Sequence, residues 1–190
     1  MRIIAGTFRS RTLEAPAGLA TRPTSDRLRE TLFNVLASRV AGAHFLDLYA
    51  GSGAVGLEAL SRGASQVDFV ERAEPAVRVL RGNLARLGVT AGFRIHGAGV
   101  GAVLRGLKPA FDVMFLDPPY DAAGEYAATL GLLGGALLGL LAESAVVIAE
   151  HRRKERLEDK YGALQRTRLL EQGDAALSFY AVRTIEVGDL

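Results

Sequence analysis

The chain has 190 residues, no cysteine, 49% hydrophobic and 23% charged residues. This composition predicts one globular domain with at most a small appendage. It excludes extensive disorder, a disulfide scaffold, a thiol nucleophile and a Cys-ligated metal. The net charge is only +2, but residues 1–40 hold seven Arg against three acids and residues 152–168 hold seven bases against three acids, while the stretches between and after them are net acidic. Basic segments flanking an acidic centre suit a polyanionic partner gripped at the ends, with chemistry in the middle.

Residues 1–9 lack the apolar core of a signal peptide, so a cytoplasmic location is expected. Residues 2–14 alternate around Arg9-Ser10-Arg11 and predict a small basic hairpin. Pro16, Gly18 and Pro23 mark 15–23 as a loop. Residues 1–23 would form an appendage to a catalytic domain spanning 24–190. Thr24 or Ser25 is placed to cap a helix whose apolar stripe is Leu28, Leu32, Val35 and Leu36, with Arg27, Arg29 and Glu30 off that stripe. From residue 44 the chain alternates strand and helix: strands at 44–49, 66–71, 93–96, 111–117 and 145–150, helices at 54–62 and 74–88, and a weak helix ending near Gly106. Serial β–α units imply a parallel sheet covered by helices, an α/β fold. Residues 127–142 carry no charge but are too short and too glycine-rich to span a membrane. They read as a buried helix, a glycine turn and a short second helix. Residues 163–183 read as two antiparallel strands.

Two motifs carry chemistry. Gly51, Gly53 and Gly56 make G-x-G-x-x-G between the first strand and the next helix, with Glu71 closing the following strand. That spacing fits a nucleotide-type cofactor, Glu71 accepting from ribose hydroxyls. Asp47, four residues before Gly51, discriminates between cofactors: a carboxylate there repels the pyrophosphate of NAD but attracts the sulfonium and ammonium of S-adenosylmethionine. The second motif, Asp117-Pro118-Pro119-Tyr120, follows a buried strand and so lies at the carboxyl edge where open α/β sheets bind ligands. Prolines fix the backbone and remove two amide donors. The Asp117 carboxylate and the Pro118 carbonyl can accept both hydrogens of an aromatic amine, whose ring stacks on Tyr120. Those bonds aim the nitrogen lone pair at an electrophile.

Taken together, these motifs resemble class I S-adenosylmethionine-dependent amino-methyltransferases. Arg2-Ile3-Ile4-Ala5-Gly6, the stretch Arg22-Pro23-Thr24-Ser25-Asp26-Arg27 through Asn34, Leu57 to Ala64, and Gly173-Asp174 with Leu177 to Tyr180 narrow the resemblance to the bacterial family that methylates a guanine N2 in 16S ribosomal RNA. The resemblance implies a Rossmann-like, seven-stranded sheet of order 3-2-1-4-5-7-6 with strand 7 antiparallel. It implies S-adenosylmethionine held by Asp47, Tyr49, Ala50, Gly51, Ser52, Gly53, Glu71, Arg72, Ala98, Gly99 and Asp117. It also implies RNA, within an assembling 30S particle, held by Arg2, Arg9, Arg11, Arg22, Thr24 and Arg27, and the transfer chemistry of Asp117, Pro118, Pro119 and Tyr120. No metal or membrane is needed, and a monomer is expected.

One departure stands out. The family usually places Asp or Asn after the third strand to bind the adenine amine, whereas this chain has Ala98 and Gly99, beside a single His96 that reads as structural. Three rival readings follow: an adenine-N6 DNA methyltransferase using the same Asp-Pro-Pro-Tyr chemistry, a nicotinamide-dependent oxidoreductase, and a non-catalytic RNA-binding module. The amino-terminal match opposes the first and Asp47 opposes the second.

Overall fold

The computed structural model describes residues 1–15, 25–108, 110–119, 122 and 124–182. The elements run α1 (Asp26–Val40), β1 (His44–Leu48), α2 (Ala54–Ser61), β2 (Gln66–Val70), α3 (Glu74–Leu87), β3 (Phe93–His96), α4 (Val100–Gly106), β4 (Phe111–Leu116), α5 (Glu125–Leu133), β5 (Leu141–Arg152), β6 (Lys160–Tyr161), β7 (Leu164–Gln172) and β8 (Ala175–Val182). They build one sheet of order β3-β2-β1-β4-β5-β8-β7-β6. Strands β1 to β5 are mutually parallel, and β8 is antiparallel to both β5 and β7. The expected order holds, with an eighth, two-residue strand β6 added at the edge.

Both sheet faces are covered. Phe45, Val67, Phe69, Val113, Phe115 and Ile148 pack with α1, α2 and α3 on one face, while Leu46, Leu48, Val70, Met114, Leu116 and Val147 pack with α4 and α5 on the other. Alternation along β1, β4 and β5 therefore assigns each residue at their carboxyl ends to a definite face.

Local chemistry explains the element ends. Ser25 is the α1 cap, its hydroxyl accepting from the Leu28 N–H at 3.1 Å; Thr24 lies outside the described residues. Pro75 sits in the first turn of α3, and Gly88 closes that helix with φ +74°.

Four expectations are corrected. The short second helix after α5 is a single 3-10 turn, Leu138–Leu140, and β5 starts at Leu141 rather than 145; the early residues of β5 pair with β4 through a register shift between Phe111 and Val113. The amino-terminal hairpin contains no regular strand: it closes through an isolated Arg2–Thr12 bridge and backbone bonds such as Ile3 N–H to the Arg11 carbonyl at 2.9 Å. Arg29 is fully buried although it lies off the apolar stripe of α1. The hairpin covers that side of the helix, tucking Ile3 and Leu13 into the core. Gly6 allows the approach: a Cβ there would lie 1.8 Å from the Ser61 carbonyl oxygen, and its φ is +82°.

Candidate functional site

The glycine loop leaves β1 through a tight reversal. Tyr49 has φ +64°, an uncommon value for a side-chain-bearing residue, followed by Gly51 at +54° and Gly53 at +81°. Asp47 braces this turn, its carboxylate accepting from the Gly56 N–H in the first turn of α2 at 2.8 Å. Only 2% of Asp47 is exposed. Burial pushes its carboxyl up to about 7; the Gly56 N–H opposes this and the charge of Glu71 adds to it.

Glu71, just past β2, accepts from the Gly51 N–H at 2.9 Å through one oxygen and from the Ala73 N–H at 2.7 Å through the other. Each oxygen keeps a second acceptor site. The Tyr49 hydroxyl donates to Glu125 at 2.6 Å and lies 3.1 Å from Thr129 Oγ1, tying the turn to α5. Burial and the Glu125 bond raise the Tyr49 hydroxyl far above its usual value. Ser52 is buried, and its carbonyl accepts from Asn83 on α3 at 3.0 Å. Ala50 is buried beside it, and Arg72 is exposed at the tip of β2.

Asp117 follows β4 with part of its surface open, Pro118 is buried and Pro119 exposed. Burial first, then the charges of Glu150 and Asp47, raise the Asp117 carboxyl well above the usual carboxylate range. The Pro119 carbonyl accepts from the Ala122 N–H at 2.9 Å. Tyr120 lies outside the described residues.

At the third strand, Ala98 and Gly99 are exposed. His96 sits on one oxygen of the fully buried Asp68 carboxylate at 2.6 Å, and His44 on the other at 2.7 Å. His96 thus braces the β2–β3 tip, where its carbonyl also accepts from the Glu71 N–H at 3.1 Å.

Of the six residues expected to hold a polyanion, Arg2, Arg9 and Arg27 come together. With Ile3, Ile4, Ser10, Asp26 and Glu30 they line a groove of about 340 Å³ between the hairpin and α1. Arg11 points elsewhere, donating to the Arg86 carbonyl on α3 at 2.6 Å. Arg22 and Thr24 lie outside the described residues. In the second basic block, Arg153 pairs with Glu171 at 3.0 Å and Arg166 with Asp159.

Two structural anchors belong to neither sequence motif. Glu58 on α2, fully buried, accepts from the Ile4 and Ala5 N–H groups at 2.8 and 3.0 Å and from Arg62 Nε at 2.7 Å, with Arg29 Nε at 3.7 Å. Asn83 accepts from the Glu14 N–H at 2.9 Å and donates to the Glu14 and Ser52 carbonyls. Each carries a signal in the chain: Glu58 is the lone acid in the apolar run of α2, and Asn83 falls on the buried stripe of Ala76, Leu80, Leu84 and Leu87 in α3.

The arrangement can hold a cation and aim an amine. The carboxylates of Asp47, Glu71 and Asp117 lie at the carboxyl edge of the sheet, where the charge of Glu71 raises Asp47 and that of Asp47 helps to raise Asp117, an environment that a cationic, hydroxyl-bearing ligand would relieve.

Among known proteins, the family model described as Conserved hypothetical protein 95 matches residues 1–181. The chain is 35% identical over 186 residues to the Bacillus subtilis protein named Putative rRNA methyltransferase YlbH, covering 96% of this chain and 100% of that one. It is 39% identical over 150 residues to Ribosomal RNA small subunit methyltransferase D of Escherichia coli K12, covering 79% of this chain and 74% of that one. The solved structure named Putative methyltransferase yhhF from Escherichia coli superposes with a TM-score of 0.82 at 34% identity, covering 95% and 96% of the two chains. The fold is therefore the Rossmann-like methyltransferase fold.

Proposed function

The chain belongs to the Conserved hypothetical protein 95 family, and on that premise we propose that it is an S-adenosylmethionine-dependent methyltransferase acting on the N2 amine of a guanine in small-subunit ribosomal RNA. The observation that carries this is the meeting, at the carboxyl edge of one sheet, of the acid-braced glycine loop with Asp117 and its proline pair. Two relatives whose names specify ribosomal RNA methylation cover most of the chain.

S-adenosylmethionine, when bound, supplies an electrophilic methyl group on a cationic sulfur. Glu71 offers its remaining acceptor sites to ribose hydroxyls, the loop 49–53 lies along the cofactor, and Asp47 contributes the negative field that favours a cation. Backbone groups around Ala98 and Gly99 take the place of the absent side-chain acceptor for the adenine. Asp117 and the Pro118 carbonyl accept the two amine hydrogens and Tyr120 stacks on the base, which must be unpaired or flipped to reach them. Arg2, Arg9 and Arg27 hold phosphates along the groove, with residues 1–23 serving as the RNA-gripping segment on the catalytic domain. The protein works in the cytoplasm as a monomer on an assembling 30S particle.

The test compares Asp117→Ala with the unaltered protein, measuring transfer of a labelled methyl group to 30S particles and to duplex DNA, alongside S-adenosylhomocysteine binding. Loss of transfer to the 30S particle with binding retained is expected. Full activity of the variant, or a preference of the unaltered protein for DNA, would overturn the reading. Mass spectrometry of 16S RNA locates the modified nucleotide.

A further inference from the structure

A second carboxylic acid stands beside Asp117, and the chemistry above does not use it. The last paired residues of β4 and β5 are Leu116 and Ala149; Asp117 is the first residue beyond β4, and one further step of the same register brings it to Glu150 of β5, whose charge bears on it. Neighbouring strands lie about 4.7–4.9 Å apart, which puts side chains opposed on one face within reach of each other. Both project to the face of Phe115 and Ile148, the α1–α2 side. Asp47, opposite Phe115 on β1, projects to that face as well. Glu150 is only 3% exposed.

We propose, building on the methyltransferase reading, that Glu150 and Asp117 share one proton across β4 and β5, and that Glu150 is a positioning residue which makes Asp117 basic enough to take the proton released by the methylated amine. Two carboxylates this close do not both ionise readily, so one proton stays on the pair while Asp117 presents an acceptor oxygen to the amine. In the transfer, the nitrogen lone pair becomes the new N–C bond and the electrons of the broken S–C bond remain on sulfur. The nitrogen, now cationic, loses one hydrogen: the N–H electrons return to nitrogen and the proton passes to Asp117. The pair then carries two protons and releases one to solvent when product leaves.

The surroundings fit this division of labour. The charges that bear on Asp117 are those of Glu150 on β5 and Asp47 on β1. From α5, the Tyr126 hydroxyl donates to the Glu150 backbone carbonyl at 2.6 Å, so a side-chain substitution at 150 spares that bond. From β8, apolar Leu177 lies opposite Glu150. Of these two charges, that of Glu150 bears more strongly on Asp117.

The experiment is the pH profile of kcat and kcat/KM for methyl transfer to 30S particles by the unaltered protein and Glu150→Gln, with S-adenosylhomocysteine affinity measured in parallel. Removing the neighbouring charge should move the acid limb of kcat/KM to lower pH by about one unit. It should lower kcat at neutral pH about tenfold, because Asp117 becomes a weaker base, and leave S-adenosylhomocysteine affinity within about twofold. An unmoved limb in a variant that still binds S-adenosylhomocysteine overturns the proposal. An NMR titration of carboxyl-labelled glutamate serves if that variant does not fold. Asp117→Asn should lower the midpoint of Glu150 by a comparable amount, and an unchanged Glu150 titration overturns the pairing. Absence of methyl transfer by the unaltered protein at every pH would instead count against the function, and the titration would still decide the pairing.

Discussion

Asp47 shows how a single buried charge bears on stability, a cost that its proposed role in holding a cationic cofactor would explain. Its carboxyl, with an ordinary value of 3.8, rises to about 7 in the folded chain. Between those pH values the folded state binds more protons than the unfolded state, so this group's contribution to stability falls as pH rises from about 4 to about 7 and stays lost above that. Asp47→Asn keeps an acceptor for the Gly56 N–H and removes the buried charge. It is expected to raise Tm at pH 8 by several degrees, at about 2–4 °C per kcal/mol for a chain of this size, with little change at pH 4. The same variant should bind S-adenosylmethionine more weakly. Equal Tm values at pH 8, measured by calorimetry, would remove buried charge as the explanation. The raised Asp117 carboxyl belongs to the same acidic edge, but part of its surface is open, as the proposed contact with substrate requires.

At the scale of elements, the amino-terminal hairpin depends on α2. Two of its N–H groups end on Glu58, the Phe8 N–H donates to Ser61 Oγ at 2.9 Å, and the Thr7 N–H reaches the Ser61 carbonyl at 2.8 Å. Glu58 also faces the buried guanidinium of Arg29, whose Nε and Nη1 make no hydrogen bond. Glu58→Ala would strand two backbone donors and leave Arg29 without its buried counter-charge. Breaking a buried ion pair from one side costs about 3–5 kcal/mol. A loss of that size in urea denaturation is expected, and a loss of similar order for Glu58→Gln, which also removes the charge and keeps only one acceptor oxygen; a loss under about 1 kcal/mol for Glu58→Ala would show that the hairpin is held elsewhere. Because Asn83 joins Glu14 of the hairpin segment to Ser52 of the glycine loop, the segment that lines the arginine groove is also anchored to the loop proposed for the cofactor.

For the whole molecule, charge is sorted by edge. The acids of the glycine loop and Asp117 sit at the carboxyl ends of the parallel strands, while Arg2, Arg9 and Arg27 gather between hairpin and α1. The second basic block gains less from folding, since Arg153 and Arg166 are paired within the protein. Arg9→Ala with Arg27→Ala is therefore expected to weaken RNA binding and flatten its salt dependence, by about 0.7–0.9 in the log–log slope for each phosphate left without its arginine. Arg153→Ala should leave the slope nearly unchanged. Equal slopes for the two variants, read from binding across a salt series, would place the RNA elsewhere.

Much of this architecture is legible in the chain itself because its signals are local. Glycine and proline punctuation, the helical stripe of Leu28, Leu32 and Leu36, and the apolar run before Asp117 all act within a few residues. They set the alternation of strands and helices and deliver the glycine loop and Asp117 to the same edge, since parallel strands share their carboxyl ends. Other features depend on partners far away in the sequence. Arg29 has the pattern of a solvent-facing residue, and only the hairpin folding over it buries it. The length of β5 is set by pairing with β4 on one side and β8 on the other. The register that pairs Leu116 with Ala149, and so brings Glu150 towards Asp117, is announced by nothing near either residue. Periodicity tells a strand which residues share a face, but the residue opposite is chosen by long-range pairing, so the neighbour of Asp117 was a decision of the tertiary structure.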